Sequence, residues 1–451
     1  MKKELRKGLR TWIEVDKKAI KHNFNTFKKI IPKRCKLLAV VKSNAYGHNL
    51  TEFSKEMENL GADFLGVDSI TEALALRREK IKTRILVLGY TLPEMIENAI
   101  ANNISITVSS FETISAIKKF FVSSSNAGHR LHGDELLGGS RRLGLDSRLH
   151  GNDKRVLNIH IKVDTGMGRH GFLFSDHEKL INELKKLNSS TTLGTGNVNV
   201  EGLFTHFSSA KNPDNLKYTR KQLELFKKWI EVFKEDRFNP IIHACATSGT
   251  IIFSSPEKIL TDGKSKISRA LDKKSNVSVK TLAGEAHFDM VRIGIGLYGE
   301  WPSKEIKDKI LKNKNNKIQL KPVMSWKTII GEIKKLPKGS KIGYDGTKIL
   351  ERDSTIAICP IGYWHGYPRV LSSKGFVLVK GKEAKILGRV CMDIIIIDIT
   401  DISNVKVGEE VVVLGKSGNK IIRTSDIASI FDGSDYELLT RINPLIKKFY
   451  R

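Results

Sequence analysis

Lys42 follows the five-residue apolar run 37–41 in the stretch VVKSNAYGHN. The run is too short for a helix and rich in strand formers. It predicts a strand that delivers the lysine at its C-terminal end. A primary amine held there can form a Schiff base with an aldehyde, once its surroundings populate the neutral form. A lone lysine after a strand is more often a solvated surface residue, so this chemistry needs company. Metal chemistry finds no anchor. Cys35, Cys245, Cys359 and Cys391 lie too far apart for a ligand pair such as CxxC, and no histidine pair within 123–155 has a convincing metal spacing. The same four thiols are too few for a disulfide scaffold, which points to a reducing cytoplasm.

The elements that must position Lys42 are readable in the same way. Short apolar runs recur at 62–67, 84–90, 104–109, 157–163, 200–207, 241–246 and 288–298. Residues 18–31 set Ile20, Phe24, Phe27 and Ile31 on one helical face, and 70–80 and 215–234 also read as helices. Eight apolar strands alternating with polar-faced helices are what a (β/α)8 barrel requires, with its active site at the C-terminal strand ends. After about residue 312 the texture changes. Segments 323–333, 354–361, 376–380, 392–399 and 406–414 are β-rich and joined by glycine-containing turns.

The predicted fold is therefore α/β, an N-terminal (β/α)8 TIM barrel over 11–302 and a mainly-β C-terminal domain over 312–451. The lysine- and asparagine-rich 303–317 reads as the link between them. Two stretches interrupt the barrel rhythm, near 123–155 and near 256–286, and predict surface insertions without assigned chemistry. The first contains RLHGD at 130–134, echoed by RLHGND at 148–153.

The chain has 451 residues and a formal net charge of +28, with 40% hydrophobic and 28% charged residues. That composition buries sizeable cores and excludes a disordered chain. No apolar run approaches the ~20 residues of a membrane helix, and the basic N-terminus lacks the apolar segment of a signal peptide. The charge suggests nucleic acid, but the lysines are spread along the chain and no nucleic-acid motif accompanies them. A lysine-rich solvated surface, with no nucleic-acid or membrane partner, is the reading adopted.

Seven motifs occur in the order AVVKSNAYGH at 39–48, KVDTGMGRHG at 162–171, GLFTHF at 202–207, VRIGIGLYG at 291–299, IGYDGT at 342–347, IGYWHGYPR at 361–369 and GRVCMD at 388–393. With them the chain resembles the alanine racemases, pyridoxal 5'-phosphate enzymes built as a barrel plus a β domain. The resemblance implies interconversion of L-alanine and D-alanine, the D-alanine supplying peptidoglycan. It implies that Lys42 binds the cofactor and is one catalytic base, with Tyr344 the other, on the opposite face. Racemisation needs this, because the α-proton leaves one face of a planar intermediate and another arrives on the opposite face.

By the same resemblance Arg292 meets the cofactor's pyridine nitrogen, and His206 joins it in a hydrogen-bonded chain to Tyr344. A donor-only arginine leaves that nitrogen unprotonated, which favours simple proton return over side reactions. Tyr46, Ser248, the Gly294 and Ile295 amides and Tyr363 are implied phosphate contacts. Arg169 and the Met392 amide are implied for the substrate carboxylate, and Lys162 for N6-carboxylation that orients Arg169. Tyr344 serves the partner subunit in the family, so a homodimer with composite active sites is expected.

The chain departs from the family pattern at Asn49, Thr247 and Ile293, which stand for glycine, asparagine and proline. Trp364 and His365 replace a usual Ala-Asp near the route into the site. Basic amino-acid decarboxylases share the barrel but put a carboxylate at the pyridine nitrogen, against Arg292. A non-catalytic pyridoxal-phosphate carrier would need only the barrel, against Tyr344 and Met392. A racemase of another small amino acid such as serine shares every implied residue, and a catalytically impaired relic remains the reading if the insertions prevent folding.

Overall fold

The computed structural model describes residues 7–126, 155–188, 196–254, 285–312 and 318–451. Most of both predicted insertions, including the RLHGD echo, lies outside the described residues. Each of the eight apolar runs forms a strand: Lys36–Val40, Phe64–Val67, Arg84–Val87, Ile104–Val108, Arg155–Lys162, Gly196–Phe204, Ile241–His243 and Met290–Ile293. They pair in parallel and in chain order, and the eighth returns to the first with Leu37 opposite Val291. The ring closes between seventh and eighth where Arg292 N–H donates to the Cys245 carbonyl at 2.9 Å and Asp289 N–H to that of Ile242 at 3.0 Å. Parallel strands buried on both faces read as continuous apolar runs, which is why they stood out in the sequence.

Helices cover the ring because one face of each is apolar. Helix Lys17–Ile30 starts at Asp16, whose carboxylate accepts the Ala19 N–H at 2.9 Å. It buries Ile20, Phe24 and Phe27, each contributing about 1.5–3 kcal/mol. Helix Lys217–Glu235 does the same with Leu223, Phe226, Trp229 and Phe233. The expected link 303–317 departs from expectation, since Lys304–Lys312 is a helix that buries Ile306 and Ile310. Two isoleucines at helical spacing were masked there by the surrounding lysines.

The β-rich region forms a seven-stranded sheet and a three-stranded sheet. Strand Thr11–Val15 belongs to the first of these, antiparallel to Met324–Ile329 and parallel to Lys448–Tyr450. Residue 11 is thus paired into the seven-stranded sheet of the β-rich region before the chain enters the barrel. A separate hairpin, Lys341–Ile342 with Lys348–Ile349, carries Tyr344 in its turn. Its own small cluster of Ile342, Leu350, Ile356 and Leu387 anchors it. Among the described residues no helix is long and apolar enough to cross a membrane.

Candidate active site

A cavity of about 480 Å³ opens among the C-terminal ends of the barrel strands, within the roughly 300–1,000 Å³ of small-molecule sites. Five cations line it, Lys42, Lys162, Arg169, Lys211 and Arg292, and no carboxylate does among the described residues. The cavity therefore attracts anions.

Lys42 stands two residues after the first barrel strand and opens a left-handed turn. Ser43, Asn44, Ala45 and Tyr46 all have φ of 50–55°, a conformation costing roughly 1–2 kcal/mol per non-glycine residue. Packing compensates. Asn44 Oδ1 accepts the Leu50 N–H at 2.9 Å, and Glu72 Oε1 accepts the Asn44 N–H at 3.3 Å. The His48 ring sits within 3.1 Å of the Ala45 carbonyl and 2.9 Å of the Tyr46 carbonyl. Gly47 has φ +79°, and a Cβ there would lie 2.2 Å from the Leu439 carbonyl oxygen. Glycine is thus required at position 47, while Ser43, Ala45 and Tyr46 are held in the turn by these contacts. Lys42 Nζ donates to Asp68 Oδ1 at 2.7 Å.

Arg169 is set by the loop after the fifth strand. Asp164 accepts the backbone N–H groups of Gly166 at 2.8 Å, Met167 at 2.7 Å and Arg169 at 3.1 Å. Burial works to raise the Asp164 pKa, but these amides outweigh it and hold the carboxyl below its usual range. Nearby Lys162 is 7% exposed. Burial, then Arg169 and Arg292, pull its ammonium down to about 8.

Arg292 is 4% exposed. It donates to His243 Nδ1 at 2.8 Å, to the carbonyls of Thr205 at 2.7 Å and Ala244 at 2.9 Å, and to His206 Nδ1 at 3.3 Å. Burial lowers its pKa to about 10, so it stays charged at neutral pH. Arginine only donates, so a hydrogen bond across this 3.3 Å contact, shared with the two carbonyls, has His206 Nδ1 accepting and Nε2 carrying the hydrogen. Burial first, then Arg292 and Arg169, holds His206 neutral with a pKa of about 3. His206 thus presents one N–H.

At the other end of the cavity lie Tyr46, Ser248, Gly294 and Ile295, as expected together. Ser248 stands in the first turn of helix Thr247–Ser254, where backbone N–H groups suit an anion. The Gly294 N–H donates to Thr247 Oγ1 at 3.1 Å. Tyr363 is not among the residues lining this cavity; it is 42% exposed in the turn Tyr363–His365. A second tyrosine beside Tyr46 lines this end, Tyr436, its ring 5.9 Å from that of Tyr46 and 4.6 Å from Lys211 Nζ. Burial raises the pKa of both tyrosines, so both remain phenols.

Tyr344 and Met392 are also outside the cavity of their own chain, 68% and 55% exposed. They share one face of the second unit with Tyr363 and Trp364. Trp364 N–H donates to the Met392 carbonyl at 3.0 Å, and Asp345 pairs with Arg389. A single chain brings together nine of the twelve expected residues and leaves Tyr344, Tyr363 and Met392 on the surface. Two neighbours went unforeseen. Asp68 sits in a helix-opening stretch, GVDSITEA, and nothing in its spacing pointed to Lys42. Tyr436 lies in a short terminal helix, Asp435–Thr440, without a motif.

The family model for the alanine racemase N-terminal domain matches residues 15–262, and that for the alanine racemase C-terminal domain matches 323–450. An alanine racemase of Halothermothrix orenii is 34% identical over 442 residues, 98% of this chain and 97% of the relative. A solved alanine racemase of Clostridium difficile superposes with a TM-score of 0.76 at 29% identity, covering 98% of this chain and 96% of the other. One from Bacillus anthracis with bound L-Ala-P gives 0.77 at 29% identity, over 98% and 95%.

Proposed function

The chain belongs to the alanine racemase family, and on that premise we propose that it interconverts L-alanine and D-alanine with pyridoxal 5'-phosphate and two bases. Lys42 is one base and Tyr344 of the partner subunit is the other. The observation that carries the reading is an anion-attracting cavity that holds Lys42, Arg169 and Arg292, with Tyr344 absent from its lining among the described residues. Tyr344 meanwhile stands exposed on a hairpin of the same chain. A head-to-tail homodimer reconciles the two.

The residues fit the cofactor. Lys42 would hold its aldehyde carbon, and Tyr46, Ser248, the Ile295 amide and Tyr436 its phosphate. Arg292 would face its ring nitrogen, with Nε–H and one NH1 hydrogen lacking a protein acceptor among the described residues. When bound, pyridoxal phosphate supplies an electron-withdrawing system that acidifies the substrate's α-carbon. Arg169 and the Met392 amide of the partner subunit clamp the carboxylate, fixing which faces of that carbon meet the bases. Lys42 takes or gives the proton on one face. Tyr344 of the partner subunit does so on the other, helped by the N–H of His206, which favours phenolate. Carboxylation of Lys162 would replace a buried cation by an anion that orients Arg169. The barrel within 11–302 supplies the cavity apart from Tyr436, and the β unit over 312–451, whose sheet includes strand Thr11–Val15, supplies the opposite face. The D-alanine formed supplies peptidoglycan synthesis.

Circular dichroism of L-alanine solutions tests the reading. The expected result is loss of signal with cofactor-loaded protein, and none with Lys42→Ala or Tyr344→Phe. A loaded protein that shows the visible band of bound cofactor yet leaves alanine unchanged would refute it.

A further inference from the structure

Behind Arg292 the barrel interior is polar where a packed apolar core is the rule. Arg292 NH1 lies 2.8 Å from His243 Nδ1, His243 Nε2 lies 2.9 Å from His160 Nδ1, and His160 Nε2 lies 2.9 Å from Glu201 Oε2. Both imidazoles are fully buried and Glu201 is 6% exposed. Glu201 Oε2 also accepts from Ser105 Oγ at 2.5 Å, and Oε1 pairs with Arg84, whose side chain is half exposed at the start of the third barrel strand.

The backbone is shaped for this line. Pairing between the fifth and sixth strands steps from Ile159–Val200 to His160–Gly202, so Glu201 is the extra residue of a bulge. A bulge re-aims a side chain that regular alternation would send elsewhere. A Cβ on Gly202 would lie 2.0 Å from His160 Nδ1, so glycine makes the room for that ring.

The two ends fix every proton between them. Arginine can only donate, so His243 Nδ1 must accept and its Nε2 carries the hydrogen. His160 Nδ1 must then accept, and His160 Nε2–H donates to Glu201, which as a carboxylate only accepts. Burial keeps both rings neutral, so neither acquires the second proton that would break the order. All donors point one way, from Arg292 to Glu201.

We propose that Glu201 is a positioning residue for the reaction. Through two neutral imidazoles it locks the tautomers that keep the Arg292 guanidinium, with its free N–H donors, aimed at the cofactor's ring nitrogen. The proposal rests on the reading that Arg292 faces that nitrogen. An imidazole of the wrong tautomer would set an N–H against Arg292 NH1 and push the guanidinium aside.

Glu201→Gln is isosteric yet cannot satisfy this line. Its NH2 must face a donor in either orientation, Arg84 on one side or His160 and Ser105 on the other. Adding Arg84→Met removes the first conflict and lets the amide carbonyl meet His160. In the cofactor-loaded enzyme Glu201→Gln is expected to lower kcat roughly tenfold or more. KM for alanine stays within about twofold, because Arg169 is untouched. The visible band should shift, and the double variant should recover most of the kcat. A single variant with wild-type kcat, or a double variant no better than the single, would overturn the proposal.

A second measurement needs no variant. Long-range proton–nitrogen correlation on the ¹⁵N-histidine-labelled wild-type holoenzyme should find His160 and His243 neutral and protonated at Nε2. Either ring protonated at Nδ1 would also overturn it. A wild-type protein that binds no pyridoxal phosphate would instead defeat the cofactor reading, whatever the tautomers are.

Discussion

Lys42 Nζ and Asp68 Oδ1 form an ion pair of 2.7 Å at the mouth of the barrel. The two strand ends that carry them are adjacent, and Glu72 ties both together. Its Oε2 accepts the Asp68 N–H at 2.8 Å and its Oε1 accepts the Asn44 N–H at 3.3 Å. The pair keeps the lysine ordered at the rim, but it also competes with attack of the amine on an aldehyde. An exposed pair is worth roughly 0–1 kcal/mol. Asp68→Asn should accordingly speed loading of the apoprotein with pyridoxal phosphate by up to about fivefold. Stopped-flow absorbance of the bound cofactor reads this, and an unchanged rate would show that the pair does not restrain Lys42.

Tyr344→Phe removes only a hydroxyl from a residue that is 68% exposed in the single chain. Folding and cofactor binding should be unaffected. Loss of a positioned acid–base group is expected to lower kcat about 10²–10⁴-fold. Steady-state kinetics in both directions checks this, with the visible spectrum as the control.

Lys162 reacts with carbon dioxide only as a neutral amine, and its pKa of about 8 places that form within reach at mildly alkaline pH. Protein equilibrated with ¹³C-bicarbonate near pH 8 should show a carbamate carbon resonance that is lost in Lys162→Ala. Absence of the resonance from wild type would leave Lys162 as an unmodified amine.

Buried histidines set the acid limit of stability. Burial lowers His48 to about 4 and His160 and His206 to about 3, against about 6.5 in an unfolded chain. The unfolded state therefore binds more protons as pH falls below about 6.5, and folding stability declines with it down to the native values. Denaturant melts between pH 7 and 4 should show a steadily falling midpoint. A flat profile would mean that these rings gain protons without cost.

Much of this was written in the sequence, for a physical reason. Parallel strands buried on both faces are unbroken apolar runs, but the left-handed turn of Ser43, Asn44, Ala45 and Tyr46 is not announced by residues that mostly avoid positive φ. The chemistry that the strands hide was not legible. His160, His243 and Glu201 read as ordinary interruptions of apolar runs, because a bulge and cross-strand neighbours decide where they point. Strand Thr11–Val15 joined the seven-stranded sheet through partners more than three hundred residues away. Tyr436 reaches the cavity only because its helix packs on Gly47 and the turn above it. Tyr363, expected beside the phosphate, is exposed in the single chain as Tyr344 and Met392 are, which a local motif does not reveal.

The composite site is tested most directly by mixing two inactive chains. Lys42→Ala and Tyr344→Phe proteins are each expected to lack alanine interconversion. In a heterodimer, one site joins the intact Lys42 of one chain to the intact Tyr344 of the other, and the second site lacks both. Co-expressed with different tags and purified as the heterodimer, the pair should regain about half the wild-type rate per dimer. No recovery in a heterodimer that binds pyridoxal phosphate would contradict the account.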